Sequence, residues 1–189
     1  MLEPTTTNRR IYTSLSSPNL SEQANWLVIK EDDATGPNGL LTDAIVGTGT
    51  MTDTCTDACK EAVYWARGYN VNTPAPDTTD FVQKLGDPLH GQPAVVVYGD
   101  YDPEDEPPDT HVFMPRNDGM LHAFDGNTAE ELWANIPTEM LARLGELRAD
   151  APTATRSFGH DGDVRVLRLD KNLNGKIEYN GLNAALSVR

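Results

Sequence analysis

The sequence predicts a mainly β fold, with a few peripheral helices and long loops around an incomplete β-propeller. Three observations carry that expectation. Short apolar segments recur between residues 94 and 134, the turns Asp118-Gly119 and Asp125-Gly126 punctuate them, and turn formers abound, with 15 Gly and 13 Pro among 189 residues. Short strands joined by such turns make an up-and-down meander, the unit of a propeller blade. The change of character near Leu85 divides the chain into a loop-rich lead-in with one helix, 1–84, and a β-rich part, 85–189.

In the lead-in, Arg9-Arg10-Ile11-Tyr12-Thr13 predicts a short strand, with β-branched and aromatic residues alternating against polar ones. Trp26 to Ile29 is apolar but too short for its period to decide between strand and helix. Residues 56–67 predict a helix. Thr56 or Asp57 can cap it, Ala58, Ala62, Val63, Trp65 and Ala66 form its apolar face, and Gly68 ends it. Residues 70–80 read as a linker-like loop.

Beyond Leu85, Ala94 to Tyr98 is a continuous apolar run, the pattern of a strand buried on both faces. Asp100 to Asp109 holds six acidic residues and three prolines, which repel one another and cannot complete a ladder, so it is an exposed loop. His111 to Met114, Leu121 to Phe124 and Glu131 to Ala134 are the meander strands. Thr138 to Leu147 predicts one surface helix with Met140, Leu141, Leu144 and Leu147 on a stripe. Asp163 to Leu169 alternates as a strand.

Fifteen Lys and Arg face 29 Asp and Glu, a net charge of −14. Such a surface repels phosphates and anionic headgroups, so nucleic acid is excluded as a partner. No apolar run approaches the ~20 residues of a membrane span, which argues against membrane insertion. A content of 38% hydrophobic residues suffices for a core and argues against full disorder.

The strongest site signal is Asp170, Asn172, Asn174, Lys176 and Glu178. Oxygen side chains at alternate positions of a tight turn converge on one centre, Gly175 permits the bend, Lys176 offers its carbonyl and Glu178 closes the set. This is an EF-hand-like calcium loop of nine residues between strands. Gly181 stands where an EF-hand carries its bidentate Glu. With only two carboxylates, affinity for Ca²⁺ falls in the weaker range. The alternative is an Asx-rich hairpin turn that holds no ion.

Cys55 and Cys59 are the two cysteines. Four positions apart at a helix start, they suit a local disulfide that fixes the first turn and stabilises little. Two buried thiols, or two ligands of an incomplete metal site, are the alternatives. His122, in a predicted strand, reads as a packed core histidine, and His160 to Asp163 as a turn before a strand. No GxSxG, P-loop, GxGxxG or HExxH motif is present and no catalytic set stands out, so the expectation is a non-enzyme.

Four segments in order carry a family likeness: Arg9 to Thr13, Tyr64 to Gly68, Leu85 to Pro93, and Asn117 to Asp125 leading into Glu131 to Pro137. Their order and spacing resemble the start of the C-terminal β-propeller domain of PilY-type adhesins, proteins of the type IV pilus tip. Gly91 departs from the Ser usual in that family, and Asn174 from the usual Asp. The resemblance implies an extracellular module at the pilus tip, with minor pilins and a host or abiotic surface as partners. It further implies roles in adhesion, pilus assembly and retraction, and twitching motility, regulated by calcium at Asp170, Asn172, Asn174, Lys176 and Glu178. The blade pattern is also similar to that of quinoprotein dehydrogenases. A fragment of such an enzyme is the alternative, although Cys55 and Cys59 lack the vicinal spacing usual beside its quinone.

At ~40–45 residues per blade, 189 residues supply little more than one blade and the start of a second. The chain therefore reads as part of a larger propeller, and its open sheet edges invite self-association.

Overall fold

The computed structural model of the chain describes residues 9–13, 27–29, 41–48, 55–72, 77–81, 85–98, 109–149, 159–160, 162–168 and 184–187. Alternating side chains broken by Asp-Gly turns produce the central meander of β5 (Ala94–Tyr98), β6 (Asp109–Pro115), β7 (Leu121–Asp125) and β8 (Glu131–Asn135), each antiparallel to the next. The β7–β8 turn is set locally, because Asp125 Oδ1 accepts the amides of Asn127 and Thr128 at 2.7 and 2.8 Å. Those two bonds also hold the Asp125 carboxyl below its ordinary range.

The lead-in joins this sheet. β1 (Ile11–Thr13) runs parallel to β8, with Ile11 opposite Ala134, and β2 (Leu27–Val28) pairs antiparallel to β1. The six-stranded order is β2-β1-β8-β7-β6-β5, so the sheet is mixed and open rather than closed. Two smaller pairs accompany it among the described residues. β3 (Tyr69–Asn70) pairs with β4 (Asp77–Phe81), and β9 (Arg165–Arg168) with β10 (Ala184–Ser187). Fold class is thus mainly β with a few helices.

Apolar side chains pack on both faces of the sheet. On one face Ile11, Ala134, Ile136 and Met120 meet α1 (Asp43–Val46), α2 (Asp57–Ala66), α3 (Thr138–Leu141) and α4 (Arg143–Ala149) in a core that includes Val46, Ala62, Val63, Leu141 and Leu144. On the other, Val96, Tyr98, Phe113, Leu121 and Ala123 are buried, with Trp133, Val164 and Val166 packed against them. An ion pair between Glu61 and Arg148 ties α2 to α4.

Four local expectations change. The 94–98 strand is a sheet edge covered on one face only, with Val95 50% and Val97 40% exposed. The helices cover the β1–β8 side of that face and stop short of β5, so the apolar run did not mean burial on both sides. Within 70–80, β4 starts at Asp77 where a loop was expected, because Thr78, Thr79 and Phe81 have the β propensity to pair with Tyr69 and Asn70. The single helix over 138–147 is instead two, broken at Ala142. The break falls where the Ala142 carbonyl packs against the backbone of Gly47, so closely that an added Cβ there would overlap it. In α2, Cys59 rather than the exposed Ala58 starts the buried stripe Cys59, Ala62, Val63, Ala66. Thr56 is the N-cap residue, although its side chain makes no capping hydrogen bond, and Gly68 follows the helix with φ of 89°.

Cys55 and Cys59 are joined in a disulfide, with Cα atoms 5.2 Å apart, at the start of α2. Because the closed loop is so short, removing the bridge by Cys55→Ser with Cys59→Ser is expected to cost about 2 kcal/mol. Urea denaturation of the oxidised chain and the double variant measures this, and a loss above roughly 4 kcal/mol would show a larger role than loop closure allows.

Candidate functional site

The site grows from the tight turn Asn117–Gly119 between β6 and β7. Gly119 adopts φ of 80° there. Asp118 folds back as an Asx turn, its Oδ1 accepting the Met120 amide at 3.0 Å. Its Oδ2 accepts the Gly86 amide at 2.9 Å and faces His122 Nε2 at 3.0 Å. Two other segments are lashed to this turn. The Asn117 amide donates to the Asp87 carbonyl, and Arg116 Nη1 donates to the Gly86 carbonyl, both at 2.9 Å. From the far side, the Gly159 amide donates to Asn117 Oδ1 at 2.9 Å. A Cβ on Gly159 would lie 2.6 Å from the Asn117 carbonyl oxygen, so this close approach requires glycine.

His122 lies fully buried on β7, its ring stacked on Phe124 at 5.9 Å. Its Nδ1 is 2.6 Å from Glu131 Oε1. In turn Glu131 accepts Arg9 in a fork, Nε at 2.7 Å and Nη2 at 3.1 Å. Arg9 Nη1 donates at 2.7 Å to the Ala66 carbonyl, at the C-terminal end of α2, where unpaired carbonyls and the helix dipole favour a cation. The result is a continuous chain, Asp118–His122–Glu131–Arg9–Ala66, that fastens the turn, β7, β8, the β1 lead-in and α2 to one another.

A register shift makes this possible. Ala123 pairs with Trp133, but the next pair is Phe124 with Glu131, so a bulge lies between them. Regular alternation would put Glu131 on the Trp133 face. The extra residue turns it to the His122 face instead, as bulges re-aim side chains.

Both His122 nitrogens face carboxylates, an arrangement that the doubly protonated ring satisfies. Burial works against charge on His122, but the hydrogen bonds to Asp118 and Glu131 outweigh it and raise its pKa above the ordinary value. Burial likewise pushes Glu131 up, while the His122 bond and the charge and fork of Arg9 pull it down further, to about 2. For Asp118, too, burial is outweighed by His122 and the Gly86 and Met120 amides, and its carboxyl lies below the usual range. Opposite charges alternate along the chain, which suits it to holding structure: neither ring nitrogen is left for proton transfer.

The expected packed core histidine is thus buried, but its neighbours were not foreseen. The sequence places Asp118 in a turn, Glu131 and Arg9 in strands, and all three in the segments of the family likeness, but assigns none of them a partner. The one available signal was charged residues sitting inside otherwise β-patterned segments. Asp170, Asn172, Asn174, Lys176 and Glu178 lie outside the described residues, in the connection between β9 and β10. Among the described residues, no group of three or more His, Cys, Asp or Glu is placed to hold a metal, and no helix is long and apolar enough to cross a membrane. His160 donates its amide to the Arg116 carbonyl at 3.3 Å, and burial lowers the pKa of its ring.

Beside the Asp118 end of the clamp is a cleft of about 250 Å³ between the end of α2, the Leu85–Asp87 segment, the Asn117–Met120 turn and α4. Comparison with protein-family models, with curated proteins and with solved structures finds no match to this chain.

Proposed function

We propose that this chain is a calcium-binding, non-enzymatic module of a PilY-type adhesin of the type IV pilus tip, part of an extracellular β-propeller. The observation that carries the reading is the convergence of its motif segments. Arg9, Ala66, Gly86, Asp118, His122 and Glu131 belong to the four segments that resemble that family, and one buried charge chain links them all. In this reading β5–β8 is one blade and β9–β10 begins the next. The Cys55–Cys59 disulfide is at home in an oxidising extracellular compartment.

Calcium is assigned to Asp170, Asn172, Asn174, Glu178 and the Lys176 carbonyl. The donor set is all oxygen and contains neither Cys nor His, which fits a hard cation. Binding would offset the charge of Asp170 and Glu178 and order the segment between the two strands, altering the adjoining surface that meets minor pilins or an external surface.

Calorimetric titration with Ca²⁺ tests the assignment. The expected result is a saturable heat with Kd of roughly 10⁻⁴–10⁻³ M, abolished in Asp170→Ala with Glu178→Ala. Beads coated with the chain are expected to adhere to glass in millimolar Ca²⁺ and to detach in chelator. No heat in the parent chain removes the calcium site, and adhesion indifferent to Ca²⁺ removes the calcium-switched adhesin.

A further inference from the structure

The cleft beside Asp118 has no part in the calcium assignment, and its lining has two natures. Trp65, Leu85, Met120 and Leu147 are apolar lining residues, while Asp87 and Asp118 are acidic ones. At about 250 Å³ it falls below the roughly 300–1,000 Å³ of pockets for drug-sized ligands. That size suits one long side chain. Asp118 is committed to His122, Gly86 and Met120. Asp87 is exposed, and among the described residues its carboxylate has no ion pair. Among the cations of the surrounding segments, Arg116 is engaged with the Gly86 carbonyl, Arg9 with Glu131 and Arg148 with Glu61.

A cleft lined by a tryptophan, an exposed acid and aliphatic side chains matches a planar cation on an aliphatic stem. A guanidinium stacks on an indole, pairs with a carboxylate through two parallel bonds, and is weakly hydrated enough to leave water, while its methylenes cover apolar surface. The net charge of −14 draws a basic partner from a distance. We propose that this cleft is a docking pocket for an arginine side chain of a basic partner protein. Such a residue would act as the single anchor on which small interfaces concentrate their affinity.

The test titrates the whole chain with the blocked peptides acetyl-Gly-Arg-Gly-amide and acetyl-Gly-Gln-Gly-amide, followed by amide and indole NMR shifts. The arginine peptide is expected to move the Trp65 indole and the Asp87 and Asn117 amides saturably, with the glutamine peptide weaker by about tenfold or more. Asp87→Asn, a surface change that leaves the fold intact, is expected to weaken binding by about fivefold, whereas Glu130→Gln, at an exposed acid in the β7–β8 turn at the opposite end of β7, changes it by less than about twofold. Equal response to both peptides, or equal weakening by the two variants, reduces the effect to bulk charge attraction and overturns the proposal. Shifts that centre elsewhere overturn it as well.

Discussion

Glu131→Ala is expected to destabilise the folded chain by about 3–5 kcal/mol, the range for removing one member of a buried charge pair. The side chain of Glu131 is 11% exposed and that of Arg9 6%, so neither partner regains much water when the carboxylate is lost. Arg9 and His122 would then be two buried cations facing each other across the vacated space. The neighbouring Glu130→Ala removes an exposed carboxylate and is expected to stay within about 0.5 kcal/mol of the parent. Urea denaturation followed by circular dichroism compares the three proteins. A loss below about 1 kcal/mol for Glu131→Ala would mean that the clamp is not desolvated as the structure has it.

Stability should also follow an asymmetric dome in pH. Glu131 has its folded pKa lowered to about 2 from an ordinary 4.5. Its contribution is therefore complete above pH 4.5 and is lost as pH falls towards 2. That shift corresponds to on the order of 3 kcal/mol. Asp118, shifted in the same direction, steepens the acid limb. His122 has the opposite sign. Its folded pKa is raised above 6.5, so its contribution is complete below 6.5 and is lost as pH rises through the folded value. Maximum stability is expected between about pH 5 and 6.5. Thermal midpoints measured from pH 2 to 9 check both limbs. Glu131→Gln should flatten the acid limb, and a parent curve that keeps rising from pH 6 to 9 would show that His122 is not held as the cation.

Much of the fold was legible because it is written at short range. The strands at 111–114, 121–124 and 131–134 alternate within themselves, and Asp118-Gly119 and Asp125-Gly126 turn the chain whatever surrounds them. The α2 helix announced itself through a three-to-four spacing and Gly68. Even so, local pattern had a limit. Ala94 to Tyr98 has the composition of a strand buried twice, yet it is an edge, because coverage depends on where the helices end.

The sequence by itself determined that this is a mainly β, acidic chain with a meander at its centre and a helix with one cysteine inside it and another just before its cap. Only the tertiary structure decided which charges meet. Arg9 and Glu131 are 122 positions apart, and no period within either segment encodes their pairing. It follows from β1 running parallel to β8 and from one extra residue in the β7–β8 register, which turns Glu131 towards His122. Side-chain period is a property of a few neighbouring residues. Partner choice for a buried charge depends on register and docking, where a slip of one residue exchanges the two faces of a strand.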